Sequence, residues 1–274
     1  MPQKVLITGG SGAVGSAVVA RMLERPGEFE PVVFDLTRAT NALAGGEPWP
    51  AGSNVMSIIG DISSFEDVRT AMTGCDAVIH LANGGSEWED NLKYNLVGTY
   101  NIFENAAQLG VTRVATASRA GVTGQPNDGP GSPYPDDFTK TVDLPYKPTG
   151  HYTISKVFHE AMGYSYAHEH GMGVVACRIG NFNRTRDEPT HPHELGWHDC
   201  GEVFCQAIAH PLPPVVHPGG RTTHGEKEVF YHAVFAVSDS TWPMYDLEHG
   251  KRVIGYHPTQ KSIVPAEKWQ GSKL

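Results

Sequence analysis

Short apolar runs alternate with amphipathic stretches through the first two-thirds of the chain. The runs KVLITG, PVVFD, VMSIIGD, DAVIHLA and RVATAS are apolar almost throughout, as expected of strands that helices cover on both faces. Helical patterns separate them at 13–24, 65–72 and 88–109. This order of elements predicts βαβ units and an α/β fold with a Rossmann-type doubly wound parallel sheet.

The rest of the chain continues the series, but its connections are longer. We predict a helix over 151–169, a strand in GVVACRIG, a helix over 199–209 and a late strand in VFYHAVFAVS. Loops that follow strands, at their carboxyl ends, are where open α/β sheets bind ligands. We therefore expect one domain over 1–274, with a small C-terminal substrate-binding cap and insertions around 121–150 and 181–228.

Length and charge limit the classes of partner. The 274 residues are enough for one substantial core, and no apolar run approaches the ~20 residues that a membrane-spanning helix needs. A formal net charge of −9 argues against binding to phosphate backbones, which depends on clustered Lys and Arg. We expect a small-molecule substrate, with neither nucleic acid nor membrane as a partner.

The cysteines indicate a reducing compartment. The chain has four cysteines and no CxxC pair, and His198, Cys200 and Cys205 match no zinc template, so we predict free thiols and no metal. The opening MPQKVLITGG lacks the pattern of a secretory signal, which favours a cytoplasmic protein. The final residues Ser272 to Leu274 match a peroxisomal address, which matters only in a eukaryote, and we treat the match as chance.

A glycine-rich loop, TGGSGAVG, lies between the first predicted strand and the first predicted helix. Gly10, Gly12 and Gly15 satisfy GxGxxG, and Gly9, Gly12 and Gly15 satisfy the related GxxGxxG. Such a loop lets a pyrophosphate approach the backbone and the N–H groups of the helix N-terminus.

A carboxylate follows at the end of the second predicted strand. Asp35 lies twenty residues after Gly15, where it can hydrogen-bond the adenosine ribose hydroxyls of a dinucleotide. Its charge would repel a 2′-phosphate, so the pattern favours NAD over NADP. Arg38, three residues further on, is the one nearby feature that would favour NADP.

The stretch YTISK carries a second constellation. The spacing of four places Tyr152 and Lys156 on one face of a helix, about one turn apart. A lysine ammonium beside a phenol favours the phenolate and lowers its pKa from ~10, which makes the tyrosine a usable acid and base in hydride transfer. By itself this spacing is common, but in a chain that also carries the glycine-rich phosphate loop it predicts an oxidoreductase.

The chain resembles the extended short-chain dehydrogenase/reductases, also called the NAD-dependent epimerase/dehydratase family. The resemblance runs nearly end to end, through TGGSGAVG, GDI, HLAN, NLVGT, YTISK and RIGN. Within the family the chain is most similar to small sugar dehydrogenases, the uronate and haloarchaeal glucose-6-phosphate dehydrogenases. The supporting stretches are HDCGEVFCQAI, VSDSTWPMYDLEHGKRVIGYHP and the short C-terminal region.

The resemblance implies NAD as cofactor, a contact from Asp61 to adenine, and Tyr152 and Lys156 as catalytic and cofactor-binding residues. It also implies a homodimer formed by the helices over 88–109 and 151–169. The full set of cofactor-binding residues that we expect is Gly9, Gly12, Ala13, Val14, Gly15, Asp35, Asp61, Ile62, Leu81, Ala82, Asn83, Asn95, Tyr152, Lys156 and Ile179.

One departure from the family concerns the substrate. The related sugar dehydrogenases read Ser-Ser-Asn-His where this chain reads Ser118, Arg119, Ala120 and Gly121, so Arg119 stands at the place of the family's catalytic serine. Either Ser118 or Arg119 could contact the substrate. A hydroxyl can both donate and accept a proton, whereas an arginine can only donate, which slightly favours Ser118. Arg119 could instead pair with Asp136 or Asp137.

Three functions remain open from the sequence. The first is an NAD-dependent dehydrogenase of a sugar-like hydroxy or carbonyl compound. The second is a nucleotide-sugar epimerase or dehydratase that holds NAD tightly. The third is an NAD-binding regulator without turnover, which the loss of the usual serine favours and the intact Tyr152 and Lys156 disfavour.

Overall fold

The computed structural model describes residues 1–37, 53, 55–85, 87–124, 139–185, 188–216 and 228–263. Its centre is a parallel sheet of seven strands in the order β11-β6-β5-β4-β1-β2-β3. The order runs outward in both directions from β1, as in a doubly wound fold. The strands of this sheet are β1 (Gln3–Thr8), β2 (Phe29–Asp35), β3 (Met56–Ile59), β4 (Ala77–His80), β5 (Arg113–Arg119), β6 (Gly173–Ile179) and β11 (Tyr231–Ala236).

Helices cover both faces of the sheet, as the sequence predicts. On one face α1 and α6 pack against each other and against the apolar side of the central strands. On the other face α2, α4 and α5 form a second apolar core with the same strands. The helices are α1 (Ala13–Leu23), α2 (Phe65–Met72), α3 (Trp88–Asp90), α4 (Gly98–Leu109), α5 (Gly150–His170), α6 (Trp197–Ala209) and α7 (Leu247–Ile254).

The edge strand β3 departs from the predicted pattern of apolar, fully covered strands. Met56 is 49% exposed and Ile59 is 61% exposed. In the described part of the sheet β3 pairs only with β2, so one side of it has no neighbouring strand. Its apolar run therefore reflects strand propensity more than burial.

The helix predicted over 88–109 is not a uniform α-helix. A π-helix, Asn91–Val97, joins α3 to α4 without a break in the helical path. Such π-turns are commonly found at functional sites. Here the wider turn brings Asn91 and Asn95 into the interior, where both are fully buried.

The range 181–228, predicted to hold a cap insertion, also contains the helix predicted over 199–209, which the structure has as α6. Within that range, α6 buries Cys200, Val203 and Phe204 against α1 and the sheet, so this helix belongs to the Rossmann core. The sequence predicted this helix as part of the alternating series, and the bounds of the cap stay a prediction.

Within the described residues, three small two-stranded sheets lie outside the central sheet. One of them splits the predicted late strand: Glu228–Val229 pairs antiparallel with Val215–Val216, and Tyr231–Ala236 joins the central sheet as β11. The strands of the three small sheets are β7 (Asn181–Phe182), β8 (Glu194–Leu195), β9 (Val215–Val216), β10 (Glu228–Val229), β12 (Asp239–Ser240) and β13 (Lys261–Ser262). Among the described helices, none combines the length and the apolar character required to cross a bilayer.

Candidate active site

The glycine loop forms a cradle for a phosphate group at the N-terminus of α1. Gly9 has φ +68°, and a Cβ there would lie 2.8 Å from the backbone of Ala82. A Cβ on Gly15 would lie 2.4 Å from the carbonyl oxygen of Gly9, so only glycine lets the helix approach the loop this closely. Gly12 is the N-cap of α1 and supplies no side-chain cap, which leaves the first-turn N–H groups available to an anion.

Asp35 ends β2 beside this cradle. Its carboxylate accepts hydrogen bonds from the backbone N–H of Ser11 at 3.0 Å and of Leu36 at 2.8 Å. These bonds hold the carboxylate at the edge of the cleft next to the glycine loop. The loop, the uncapped helix and this carboxylate together fit the pyrophosphate and adenosine ribose of a dinucleotide. Arg38 lies outside the described residues.

A cleft of about 680 Å³ opens at the carboxyl ends of β1, β2, β4, β5 and β6. It brings together most of the site residues that the sequence predicts, including both Ser118 and Arg119. Its predicted lining residues are Gly9, Gly12, Ala13, Val14, Gly15, Asp35, Ile62, Leu81, Ala82, Asn83, Ser118, Arg119, Tyr152, Lys156 and Ile179. Others that the sequence analysis did not select are Leu36, Gly84, Gly85, Asp90, Tyr94, Ala117, Gly180, Asn181, Phe182 and Arg184.

Two residues expected to bind the cofactor do not line this cleft. Asn95 is fully buried, accepts a 2.6 Å hydrogen bond from the N–H of Gly84, and donates to Asn91 and to Ser155. Through the bond to Gly84, Asn95 supports a residue that lines the cleft without lining it itself. Asp61 accepts hydrogen bonds from Ser63 and forms an ion pair with Lys93 at 2.9 Å. Burial acts to raise the pKa of its carboxyl, but these partners outweigh burial and hold the pKa below the usual value.

Tyr152 and Lys156 lie together in the first turns of α5. The Lys156 ammonium is 5.4 Å from the centre of the Tyr152 ring, and its side chain is almost completely buried. Burial lowers the pKa of Lys156 to about 7. Burial also raises the pKa of Tyr152, while the charge of Arg119 opposes that rise.

Arg119 also lies beside the Tyr152 ring. Its guanidinium carbon is 5.7 Å from the ring centre, and its Nη1 donates a 3.1 Å hydrogen bond to the hydroxyl of Thr153. The guanidinium occupies the space above Gly121, where a Cβ would lie 2.9 Å from its Nε. Asp136 and Asp137, the partners considered for it from the sequence, lie outside the described residues.

The Ser118 hydroxyl is bound to a carboxylate further along α5 than Tyr152. Arg119 has extended backbone angles, so the two side chains leave the end of β5 on opposite sides. The Ser118 hydroxyl donates a 2.5 Å hydrogen bond to the carboxylate of Glu160 and is 2% exposed. This geometry does not favour Ser118 as the group that meets the substrate.

Glu160 is a further residue of this site that the sequence did not predict. Its carboxylate accepts hydrogen bonds from Ser118, from Tyr146 at 2.8 Å, and from two nitrogens of Arg178 at 2.8 and 2.9 Å. It lies eight residues after Tyr152, on the same face of α5 as Lys156. That spacing was the available signal, although it does not reveal the partners.

A buried pair of histidines lies behind Lys156. The rings of His80 and His159 stack at 4.9 Å; His80 is hydrogen-bonded to the hydroxyls of two threonines and His159 to that of one. Burial lowers the pKa of His80 to about 3 and that of His159 well below its usual value. Both rings are therefore neutral near pH 7, and they add no positive charge next to Lys156.

The metal-ligating residue types form no site in the described part of the chain. No group of three or more His, Cys, Asp or Glu side chains there has the arrangement of a metal centre. Cys200 and Cys205 are buried free thiols on α6, and burial raises the pKa of both. They serve the packing of α6 against the sheet.

Comparison with known proteins gives one family and a set of full-length relatives. The family model described as the NAD dependent epimerase/dehydratase family matches residues 5–193. The chain is 28% identical to an NAD-dependent glucose-6-phosphate dehydrogenase of Haloferax volcanii, over 96% of this chain and 95% of that protein. It is 27% identical to a uronate dehydrogenase of Pseudomonas syringae pv. tomato, over 98% of this chain and 91% of that protein.

Solved structures share the fold over nearly the whole chain. The uronate dehydrogenase from Agrobacterium tumefaciens superposes with a TM-score of 0.73 at 22% identity, covering 95% of this chain and 85% of that one. The glucuronic acid dehydrogenase from Chromohalobacter salexigens gives a TM-score of 0.70 at 24% identity, covering 96% and 86%. At these identities the likeness establishes the fold.

Proposed function

We propose that this chain, which belongs to the NAD-dependent epimerase/dehydratase family, is an oxidoreductase that transfers a hydride between NAD and a sugar-like hydroxy or carbonyl compound. The cofactor is NAD, in agreement with the family and with the glycine cradle and carboxylate described above. The observation that carries the proposal is the placement of Tyr152 and Lys156 in the same cleft as that cradle.

The N-terminus of α1, Asp35 and Lys156 are the groups that hold and orient the dinucleotide. The uncapped N-terminus of α1 receives the pyrophosphate, and Asp35 accepts hydrogen bonds from the adenosine ribose. Lys156, whose ammonium has no hydrogen bond or ion pair among the described residues, can donate to the second ribose. When bound, NAD supplies the hydride acceptor or donor of the reaction.

Tyr152 moves the proton. In the direction of alcohol oxidation, the ionised phenol takes the proton of the substrate hydroxyl, and in reduction it returns a proton to the carbonyl oxygen. The positive charges of Lys156 and Arg119 stabilise the phenolate. Asn181 and Arg184 lie at the same cleft and offer further hydrogen bonds to a polyhydroxy compound.

The substrate class is supported by the relatives named above, which are dehydrogenases of glucose 6-phosphate and of uronates. The experiment is a screen of aldoses, uronates and sugar phosphates with NAD or NADP, following NADH or NADPH absorbance. Net NADH formation with one of these compounds supports the proposal. A substrate that is converted without net NADH identifies an epimerase or dehydratase instead, and tight NAD binding with no conversion identifies a regulator.

We also propose that the protein acts as a homodimer. Apolar side chains are exposed along the helical segment from Trp88 to Leu109 and along α5, where the family resemblance places a subunit interface. They are Trp88, Leu92, Val97, Tyr100, Ile154 and Tyr164, each between 36% and 48% exposed. Burying such a surface against a second copy would be favourable.

The cytoplasm is the compartment that we propose. The support is the set of four free cysteines, all buried and none within a disulfide. The residues Ser272 to Leu274, which match a peroxisomal address, lie outside the described residues, and the relatives lend that reading no support.

A further inference from the structure

We infer that Arg119 is the hydrogen-bond donor to the reacting oxygen of the substrate, and that Gly121 provides the space in which its guanidinium reaches that position. This inference rests on the proposed function and specifies which residue of the site replaces a serine hydroxyl. The nearby Ser118 has a different task, because it is bound to Glu160.

The first step is the orientation of the two neighbouring side chains. Ser118 donates to Glu160 at 2.5 Å, and that carboxylate also accepts two hydrogen bonds from Arg178. The residues Ser118, Glu160 and Arg178 are all at most 3% exposed. Turning the hydroxyl towards the cleft would break a charge-assisted hydrogen bond in the interior, which is costly. Arg119 is thereby left as the side chain at the end of β5 that faces Tyr152.

The second step is the position of the guanidinium. One nitrogen of Arg119 is held by the hydroxyl of Thr153, the residue next to Tyr152 on α5. The group lies beside the phenol ring and lines the same cleft as Lys156. It makes no ion pair with a carboxylate of the described residues. Its remaining N–H groups are therefore available to an oxygen that is held by Tyr152.

The third step concerns Gly121. A Cβ at this position would lie 2.9 Å from Nε, 3.1 Å from Nη2 and 3.2 Å from Cζ of Arg119. No other group lies among the three nearest to that Cβ, so the glycine leaves room for the guanidinium specifically. Arg119 and Gly121 are two departures from the family pattern. They depend on each other, because a side chain at 121 would occupy the space of the Arg119 guanidinium.

The chemistry favours a permanent cation at this place. Reaction at a carbonyl places negative charge on the reacting oxygen, and a charged N–H donor stabilises that oxygen more than a neutral hydroxyl does. Arginine cannot act as the proton carrier, so Tyr152 keeps that role. The proton passes between the phenol and the substrate oxygen. Arg119 donates a hydrogen bond to that oxygen and stays protonated throughout.

The phenol of Tyr152 has few charged neighbours. Arg119 faces it from the end of β5 and Lys156 faces it from the same helix, with the neutral rings of His80 and His159 behind Lys156. Arg184, Asp35 and Asp90 also line the cleft. Since burial brings the pKa of Lys156 to about 7, Arg119 is the cation nearest to the ring that keeps its charge at higher pH.

The test combines substitutions at both positions with two kinds of readout. Arg119→Gln should lower kcat/KM about 100-fold, as removal of an oxyanion donor does, and should move the acid limb of its pH profile upward by about one unit. Arg119→Lys should keep most of the pH profile and lose part of the rate. The exposed Arg252→Ala serves as a control that removes an arginine elsewhere.

Gly121→Ala tests whether the glycine is needed for the position of the Arg119 guanidinium. It should lower kcat/KM at least about tenfold in the natural background, because the displaced guanidinium loses its oxyanion contact, and less than about threefold in the Arg119→Ser background. Gly27→Ala, where an added Cβ meets nothing within 4 Å, is the matched control. Equal effects in the two backgrounds, or full activity of Arg119→Gln, would overturn the inference.

A third readout separates this inference from the proposed function. The near-ultraviolet absorbance of tyrosinate in the NAD-free protein, corrected with Tyr152→Phe, gives the ionisation of Tyr152 without any substrate. Arg119→Gln should raise that pKa even if no compound in the screen is oxidised. An unchanged tyrosine titration, with NAD binding intact, would exclude the proposed role of Arg119 beside the Tyr152 phenol, whatever the activity screen shows.

Discussion

The carboxylate of Glu160 and the guanidinium of Arg178 form a bidentate ion pair at 2.8 and 2.9 Å beneath the end of β5. Both side chains are at most 3% exposed, and Arg178 also donates to the carbonyl oxygen of Val142. The pair therefore ties α5 and β6 to the segment that precedes α5. Because Ser118 and Tyr146 bind the same carboxylate, the catalytic end of the sheet depends on it.

Removal of one partner of this pair should destabilise the protein strongly. Arg178→Met leaves a buried carboxylate without its counter-charge, and we expect a loss of about 3–5 kcal/mol in the free energy of unfolding. Urea unfolding of the NAD-free protein measures it. Glu248→Gln, in the exposed pair with Lys251, is the control and should leave the midpoint almost unchanged. A similar midpoint for both variants would contradict the prediction.

Tyr152→Phe should lower turnover by two or more orders of magnitude while NAD affinity stays almost unchanged. The variant keeps the ring and removes the proton carrier, and general acid and base groups typically contribute 10²–10⁴-fold. Initial rates of NADH formation and a fluorescence titration with NAD measure the two effects. Tyr100→Phe removes the same hydroxyl from an exposed residue and should have no such effect. Near-normal turnover of Tyr152→Phe would exclude the proposed role.

Asp35 should make NAD bind more tightly than NADP. Asp35→Asn keeps an oxygen that can accept the hydrogen bond from Ser11 and removes the charge that would repel a 2′-phosphate. We expect the ratio of NADP to NAD dissociation constants to fall at least about tenfold. Isothermal titration with both cofactors measures it. Tighter binding of NADP to the unchanged protein would show that the carboxylate does not select the cofactor.

Lys156 should make the stability of the NAD-free protein depend on pH. Burial lowers the pKa of its ammonium in the folded state to about 7, from 10.5. Between these values the unfolded chain binds more protons, so the free energy of unfolding rises with pH from about 7 towards 10.5. Lys156→Met should lack this component. Urea midpoints of both proteins at pH 7 and pH 9 measure the difference, and parallel curves would count against the buried ammonium.

The exposed apolar side chains on the segment from Trp88 to Leu109 and on α5 should hold two copies of the chain together. Val97 and Ile154, 41% and 48% exposed, lie on these two helical segments. A charge there would be buried without a partner in a dimer, so Val97→Asp with Ile154→Asp should give a folded monomer. Light scattering at micromolar concentration measures the mass. Ile59→Asp, on the exposed edge strand, is the control and should stay dimeric. A monomeric natural protein would end the dimer proposal.

The sequence alone determined the doubly wound sheet, the glycine cradle with Asp35 and the pairing of Tyr152 with Lys156. These features depend on local spacing: the period of strands and helices, the turn that glycine permits, and the i, i+4 spacing that places two side chains on one helix face. Comparison with known proteins confirmed the fold, the family and the cofactor. The individual roles of the site residues remain predictions.

Only the tertiary structure decided which side chains meet. Ser118 and Glu160 are 42 residues apart, and nothing near either one in the chain indicates that they share a hydrogen bond. The same holds for Asn95, whose side chain accepts a hydrogen bond from Gly84, 11 residues earlier in the chain. Strand geometry requires Ser118 and Arg119 to diverge, but the buried acceptor at Glu160 decides which of them is left to face Tyr152.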